Sequence, residues 1–348
     1  MKISEVMNCS FSSWYSQFKD FTIKSQIIPL PQVFLDYLHA DQLVLPESSV
    51  QLSAVDEDGD DNRNSENVIN WATEEIIMPE AESPSFPEFE LLLKTTITRM
   101  GGVVFPKLNW SCPKDASWIS FDRTLKCTCP SDVYLLLKSS DFISHDLTQP
   151  FKYCDDDENL KDETQVKYEL VLRKWVEMNP AYEFRCFIKD NKLLGISQRH
   201  NDMFYKFIPE NRKEIEADVK AFFYHIVKDN FPDKNYCFDI YRRNQGKLLL
   251  LDFNPFGEVT DSLLYSWDEL SGDSLPEDGP EASLLRCVES PVGVQSNPYA
   301  AYAVPKDLID IAHGDDPTKL MQLLKLKVAQ QQGEVSDSSD DEEFSVNT

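Results

Sequence analysis

Glycine is scarce in this chain, with 11 among 348 residues, and none forms a Gly-x-Gly-x-x-Gly or Gly-x-x-x-x-Gly-Lys pattern. The two commonest glycine cradles for nucleotide phosphates are therefore missing. Histidine is rarer: His39, His145, His200, His225 and His313 are scattered, and none falls in His-Glu-x-x-His spacing. The eight cysteines contain no Cys-x-x-Cys pair, and Cys127-Thr128-Cys129 is too tight for a zinc knuckle. These gaps argue against zinc sites and a thioredoxin-type couple, and the cysteines read as small buried hydrophobes. The Gly-x-Ser-x-Gly of serine hydrolases is missing as well. No apolar run approaches the roughly 18 residues of a membrane span, and residues 1–30 carry charges where a signal peptide would be apolar. The expectation is a cytoplasmic chain that meets no membrane.

Basic residues are also in short supply. Lys and Arg total 34 against 60 Asp and Glu, a net charge of -26. Stretches 56–66, 155–163, 268–281 and 334–343 hold six acids each, 24 in all, with Arg63 and Lys161 as their only bases. They account for -22, so the rest of the chain is nearly neutral and the acid lies in loops and a tail. No basic stripe is left to form a nucleic-acid footprint. What the chain does have is a core: 41% hydrophobic residues, with 21 Phe, 13 Tyr and 6 Trp.

Period and punctuation order that core. Phe11, Trp14, Tyr15, Phe18 and Phe21 form an early aromatic cluster, followed by a Pro-bracketed segment from Pro29 to Ala40. Pro87, then Phe89, Leu92, Leu93, Ile97 and Met100, then Gly101 as a stop, predict a helix from Ser85. Val103-Val104-Phe105 reads as a strand, 131–139 as a helix and Tyr168 to Val176 as a strand. Two hairpins follow, Glu183 to Gln198 turning at Asp190-Asn191 and Tyr236 to Phe253 turning at Asn244-Gln245-Gly246. Between them, from near Pro209, Ile215, Val219, Phe222, Phe223, Ile226 and Val227 mark one helical face with His225 at its edge. A last helix is expected from Pro317, capped by Asp316. Hairpins with packed helices make an α+β fold.

The second hairpin carries the chemistry. A two-residue loop at Gln245-Gly246 sets Asp239 opposite Asp252, and Asn254, two residues on, shares that face. Opposed carboxylates repel, so the pair calls for a protonated acid, a basic neighbour or a bound cation. Two carboxylates and an amide oxygen are hard ligands suited to Mg²⁺; a one-residue slip of register would turn one acid outward and remove the site. Lys107, Arg173, Lys174 and Arg185 lie in strand contexts. Each alone reads as a surface charge. Together with the acids they are the parts of a nucleoside triphosphate site. Asp252-Phe253-Asn254 is near the Asp-Phe-Gly of protein kinases, but no His-Arg-Asp catalytic loop accompanies it.

Longer motifs occur in one order: Phe105-Pro-Lys-Leu-Asn-Trp-Ser111, Lys138-Ser-Ser-Asp-Phe-Ile143, Glu169-Leu-Val-Leu-Arg-Lys-Trp175, Glu183-Phe-Arg-Cys-Phe187, Gly195-Ile-Ser-Gln-Arg199 and Asp252-Phe-Asn-Pro-Phe-Gly-Glu-Val-Thr-Asp-Ser262. They resemble the cell division cycle protein 123 family, and the similarity extends to Ser13-Trp14-Tyr15, Thr22 to Ser25 and Pro305 to Asp307. The resemblance implies an ATP-grasp fold, two α+β lobes with antiparallel sheets enclosing a cleft for ATP and Mg²⁺. It places Lys107, Asn109 and Trp110 at the nucleotide, Arg173-Lys174-Trp175 as the hinge beside adenine, and Arg185 towards the phosphates. Asp239, Asp252 and Asn254 would hold Mg²⁺. It further implies an assembly chaperone that binds the gamma subunit of eukaryotic translation initiation factor 2, otherwise monomeric. No general base or acceptor pocket stands out, which favours a non-enzyme, whether the chaperone or a scaffold with a vestigial site, over an ATP-dependent ligase or kinase of ATP-grasp type acting on a protein or small-molecule carboxylate.

The expected organisation is an N-terminal segment packed on the core (1–52), an acidic linker (53–84), a first lobe (85–167), a second lobe with the Mg²⁺ and ATP site (168–330) and an acidic disordered tail (331–348).

Overall fold

Alternation along one strand sets the architecture. In β3 (Glu169–Lys174) Leu170 and Leu172 enter one apolar core while Val171 enters another, and all three are fully buried. Successive strand residues point to opposite faces, so β3 has a core on each side. It pairs antiparallel with β1 (Ser25–Pro29) and β2 (Val104–Lys107) in a sheet of order β1-β3-β2. Pro106 has no N–H to donate and sits on edge strand β2, where it is tolerated.

The computed structural model describes residues 1–40, 46, 84–120, 122–156, 160–161, 164–272 and 283–291. The acidic stretches 56–66 and 334–343, the helix expected after Asp316 and the Pro305 to Asp307 motif lie outside the described residues. No helix among the described residues is long and apolar enough to cross a membrane.

One face of the first sheet is covered by α3 (Gln32–His39), α4 (Pro87–Arg99), α5 (Pro130–Lys138) and α6 (Asp141–Thr148), which bury Phe34, Leu93, Ile97 and Tyr134 with Leu170 and Leu172. The predicted punctuation of α4 holds: Pro87 opens it and Gly101, at φ +103, lies beyond its end. Leu92 is 45% exposed, outside the buried face assigned to it.

The second sheet has order β7-β6-β4-β5-β8. Its hairpins are β4 (Glu183–Lys189) with β5 (Lys192–Gln198), and β6 (Tyr236–Asn244) with β7 (Lys247–Pro255). Asp190 and Asn191 both have positive φ (49 and 57), the mirror-image turn whose twist suits a two-residue hairpin. β8 (Leu285–Arg286) adds to β5 in parallel, so this sheet is not wholly antiparallel as expected. The helix expected near Pro209 is broken: α7 (Phe207–Glu210) ends before α8 (Arg212–Phe222) begins. It widens to a π-turn at Phe223–Val227, where the Lys228 N–H donates to the Phe223 carbonyl at 2.9 Å. Ile215, Val219, Phe223 and Val227 are buried while His225 is exposed.

One boundary differs from expectation. The division at 167/168 falls before β3, yet β3 is the central strand of the first sheet, and the second sheet starts only at Glu183. The period of a strand reveals its faces, whereas its partners are chosen by tertiary contacts. The N-terminal segment also does more than pack on the core. β1 is a strand of the first sheet, while α1 (Ile3–Asn8) leads into α2 (Phe11–Phe18), which buries Phe11, Trp14 and Phe18 with residues of the second sheet. The chain between them joins the two: the Leu250 N–H donates to the Phe21 carbonyl at 2.7 Å, and the Thr22 hydroxyl donates to the Leu250 carbonyl at 2.6 Å.

Candidate functional site between the sheets

The register of the second sheet assembles a polar row. Asp252 faces Asp239 across β7 and β6, Asp239 faces Arg185 on β4, and Arg185 faces Ser197 on β5. Directly paired residues share a face, so both acids and the arginine point the same way. The Asp239–Asp252 pairing predicted from the loop is present, but not through an even ladder. The register shifts between Arg242 and Asn244 and again between Asp239 and Ile240, and the second irregularity undoes the first.

Each acid has a basic neighbour. Arg185 grips Asp239 with two parallel bonds, Nε to Oδ1 and Nη2 to Oδ2, both 2.7 Å, and Arg199 lies 3.6 Å away. Burial alone would raise the Asp239 pKa. The Arg185 charge and bonds, aided by Arg199 and Lys114, outweigh burial and hold the carboxyl at about 2. Asp239 in turn keeps the buried Arg185 firmly protonated. Asp252 is met from the other sheet by Lys107 Nζ at 2.6 Å.

The first sheet supplies the opposite wall. Phe105 pairs with Arg173 and Lys107 with Val171, so all four side chains project to one side. Arg173 is 6% exposed, and its pKa is lowered by burial. It donates to the Leu251 carbonyl (2.8 Å) and Thr22 Oγ1 (3.2 Å), but no carboxylate among the described residues ion-pairs with it, and its buried Nε has no hydrogen-bond partner there.

A cavity of about 630 Å³ opens between the sheets. Lys107, Arg173, Lys174, Trp175, Asp239 and Asp252, all predicted site residues, line it. Phe105, Leu125, Val176, Met178, Ile240, Leu251 and Leu263 give it apolar walls. Arg185 lies behind Asp239, and Asn254 Nδ2 approaches Asp239 Oδ2 at 3.5 Å. The side chains of Asn109 and Trp110 do not line the cavity. Asn109 Nδ2 donates to the Lys167 carbonyl (2.9 Å) and Ser10 Oγ (3.3 Å), its Oδ1 accepts the Glu169 N–H (2.9 Å), and Trp110 Nε1 donates to the Val6 carbonyl (2.8 Å). Both tie the N-terminal helices to the first sheet.

Sequence reasoning missed Lys114 and Arg199, which also line the cavity. Lys114 is open to the cleft yet surrounded by protein, and its pKa is lowered first by the Arg199 charge and then by burial. Arg199 lies in the Gly195-Ile-Ser-Gln-Arg199 motif, whose position at the end of β5 could have flagged it. Lys114 carried no signal. A second cavity, about 350 Å³, lies beside Met1, Glu5 and Asp155, away from these groups.

The predicted Mg²⁺ donors are gathered on β6 and β7. Repulsion between the acids is already answered by Arg185 and Lys107, so a dication is not needed to make the pairing tolerable. The set nevertheless fits one: carboxylate and amide oxygens each carry two lone pairs, and all are hard donors.

A family model described as D123 matches residues 14–312. A Xenopus laevis protein named translation initiation factor eIF2 assembly protein is 46% identical, the match covering 94% of this chain and 97% of that protein. A Danio rerio protein of the same name is 42% identical over 99% of both chains. The solved structure of Cdc123 from Schizosaccharomyces pombe is similar, with TM-score 0.65 and 35% identity, covering 83% of this chain and 99% of that one.

Proposed function

Because this chain belongs to the D123 family, we propose that it is an assembly factor for translation initiation factor eIF2 whose inter-sheet cleft, of ATP-grasp type, binds ATP with Mg²⁺. The assembly role comes from relatives that carry that name and match nearly the whole chain. Its binding target would be the gamma subunit, with nucleotide holding the two lobes closed on the shape that the partner meets.

One observation carries the nucleotide reading. Lys107, Arg173 and Arg185 are buried at 1, 6 and 4% exposure, whereas of the carboxylates lining the cavity only Asp239 is buried; Asp252, Glu177, Glu183, Asp202 and Asp261 are still reached by water. Desolvated cations in excess of desolvated carboxylates are complementary to a polyanion. Beside them, Trp175 and the apolar walls offer a slot for a base, and 630 Å³ lies within the range of small-ligand sites. Asp239, Asp252 and Asn254 would hold Mg²⁺, which when bound neutralises and orients phosphate oxygens. Lys107 and Arg173 would take the phosphates directly.

Calorimetric titration of the full chain tests the reading. ATP should bind in the presence of Mg²⁺, and Asp252→Ala should abolish the Mg²⁺-dependent part of the affinity while unfolding stays cooperative. Unchanged affinity in that variant refutes the metal assignment. With purified gamma subunit added, stoichiometric complex formation without sustained ADP release supports the chaperone; sustained ADP release transfers the reading to a ligase or kinase using the same cleft.

A further inference from the structure

Phe11 sits beneath two of the cleft's cations. Its ring centroid is 5.3 Å from Lys107 Nζ and 5.4 Å from Arg173 Cζ, and the ring is fully buried. The two cations come from adjacent strands of the first sheet, whereas Phe11 comes from α2, far away in sequence.

The environment of these cations explains why an aromatic ring is useful there. A buried ammonium or guanidinium that loses its water needs compensation. A second carboxylate would supply it, but would also neutralise the charge and compete with an anionic ligand. An aromatic face attracts a cation through its quadrupole and leaves the formal charge in place. Among the described residues Lys107 ion-pairs with one carboxylate, Asp252, and Arg173 with none. The ring therefore stabilises both without satisfying the hydrogen bonds that a ligand would make.

Phe11 is also held in place. Its N–H donates to the Asn109 carbonyl at 2.8 Å. Its ring stacks on Tyr15 (5.0 Å, 24°) and meets Trp14 edge-on (4.6 Å, 61°). The Tyr15 hydroxyl is fixed by the Ser25 N–H and carbonyl at 2.9 and 3.1 Å. Asn109, through its bonds to Ser10, Lys167 and Glu169, joins the start of α2 to the start of the strand that carries Arg173. A motif residue whose side chain does not line the cleft thus sets the ring that does reach its cations.

We propose that Phe11 is a positioning residue for the anion-binding cations, its ring face holding Lys107 and Arg173 charged and aimed while leaving them open to ligand oxygens. The proposal rests on the cleft being a polyanion site, and it makes the N-terminal helix part of that site.

Phe11→Leu removes the π face and keeps an apolar side chain; Phe11→Tyr keeps the face and adds a hydroxyl that a packed core must accommodate. Titrated with Mg·ATP on the full chain, Phe11→Leu should bind about tenfold more weakly than the parent, and Phe11→Tyr within about threefold of it. A residue that only packs gives the reverse order, and that order overturns the proposal. A second measurement needs no ligand: a double-mutant cycle of urea unfolding with Phe11→Leu and Lys107→Met. Removing the ring should cost less once the ammonium is gone, whereas additive effects overturn the proposal. Should the parent chain fail to bind Mg·ATP, the nucleotide reading falls, and this cycle by itself decides whether the ring holds the cation.

Discussion

Lys107 and Asp252 form a 2.6 Å ion pair that crosses from one sheet to the other. Their burial is unequal: Lys107 is 1% exposed and Asp252 22%. Removing the acid strands a charge without water, while removing the lysine leaves a carboxylate that water still reaches. Asp252→Ala should therefore destabilise by about 3 kcal/mol, and Lys107→Met by about 1–2 kcal/mol. Urea midpoints at neutral pH measure both, and equal or inverted losses would contradict the burial argument.

The Asp239 carboxyl, held at about 2 by Arg185, gives a signed acid response. Its folded value lies below the ordinary 3.8, so its contribution to stability is full above about pH 4 and is lost as pH falls towards 2. In Arg185→Met the burial effect would dominate and raise the carboxyl's pKa. That variant should be least stable at neutral pH and recover part of the loss on acidification, opposite in slope to the parent. Unfolding midpoints across about pH 3 to 7 test the inversion.

Asp146 behaves in the other direction. It is 5% exposed, and burial lifts its carboxyl to about 6, against the lowering effect of the Ser111 N–H and hydroxyl. The folded state thus holds this proton more tightly than the unfolded chain between about pH 4 and 6, and stability falls as pH rises through that window. Asp146→Asn keeps an acceptor for Ser111 and should remove the fall, which is about 2–3 kcal/mol. A variant with the parent's slope would locate the titration elsewhere.

Gly195 has no room for a methyl group. A Cβ there would lie 2.5 Å from Tyr265 Cζ, and that ring's hydroxyl donates to the Leu284 carbonyl (2.6 Å) next to β8. Gly195→Ala should cost about 1–3 kcal/mol through overpacking and increase amide exchange at 284–286. Tyr265→Leu in the same chain should recover part of the stability; no recovery would mean that the ring is not the obstacle.

The hairpins were legible because their turns are local: Asp190, Asn191 and Gly246 supply the positive φ that tight hairpin loops need. The helix α4 was legible for the same reason, from Pro87 to Gly101. The site was only half legible. The facing of Asp239 and Asp252 could be read from the loop, but the two compensating irregularities in that hairpin could not, since bulges respond to neighbouring strands. Asn109 and Trp110, read as nucleotide contacts from a motif, use their side chains to fasten the N-terminal helices.

Order along the chain was enough to establish an α+β protein with opposed carboxylates on one hairpin, because periodicity and turn chemistry act over a few residues. Which cation answers which acid, which sheet receives β3 and which ring supports Lys107 and Arg173 were decided only on folding. Those choices join residues such as Phe11, Lys107, Arg185 and Asp252 from separate elements, and Coulomb and aromatic forces depend on distance in space, which local pattern does not encode.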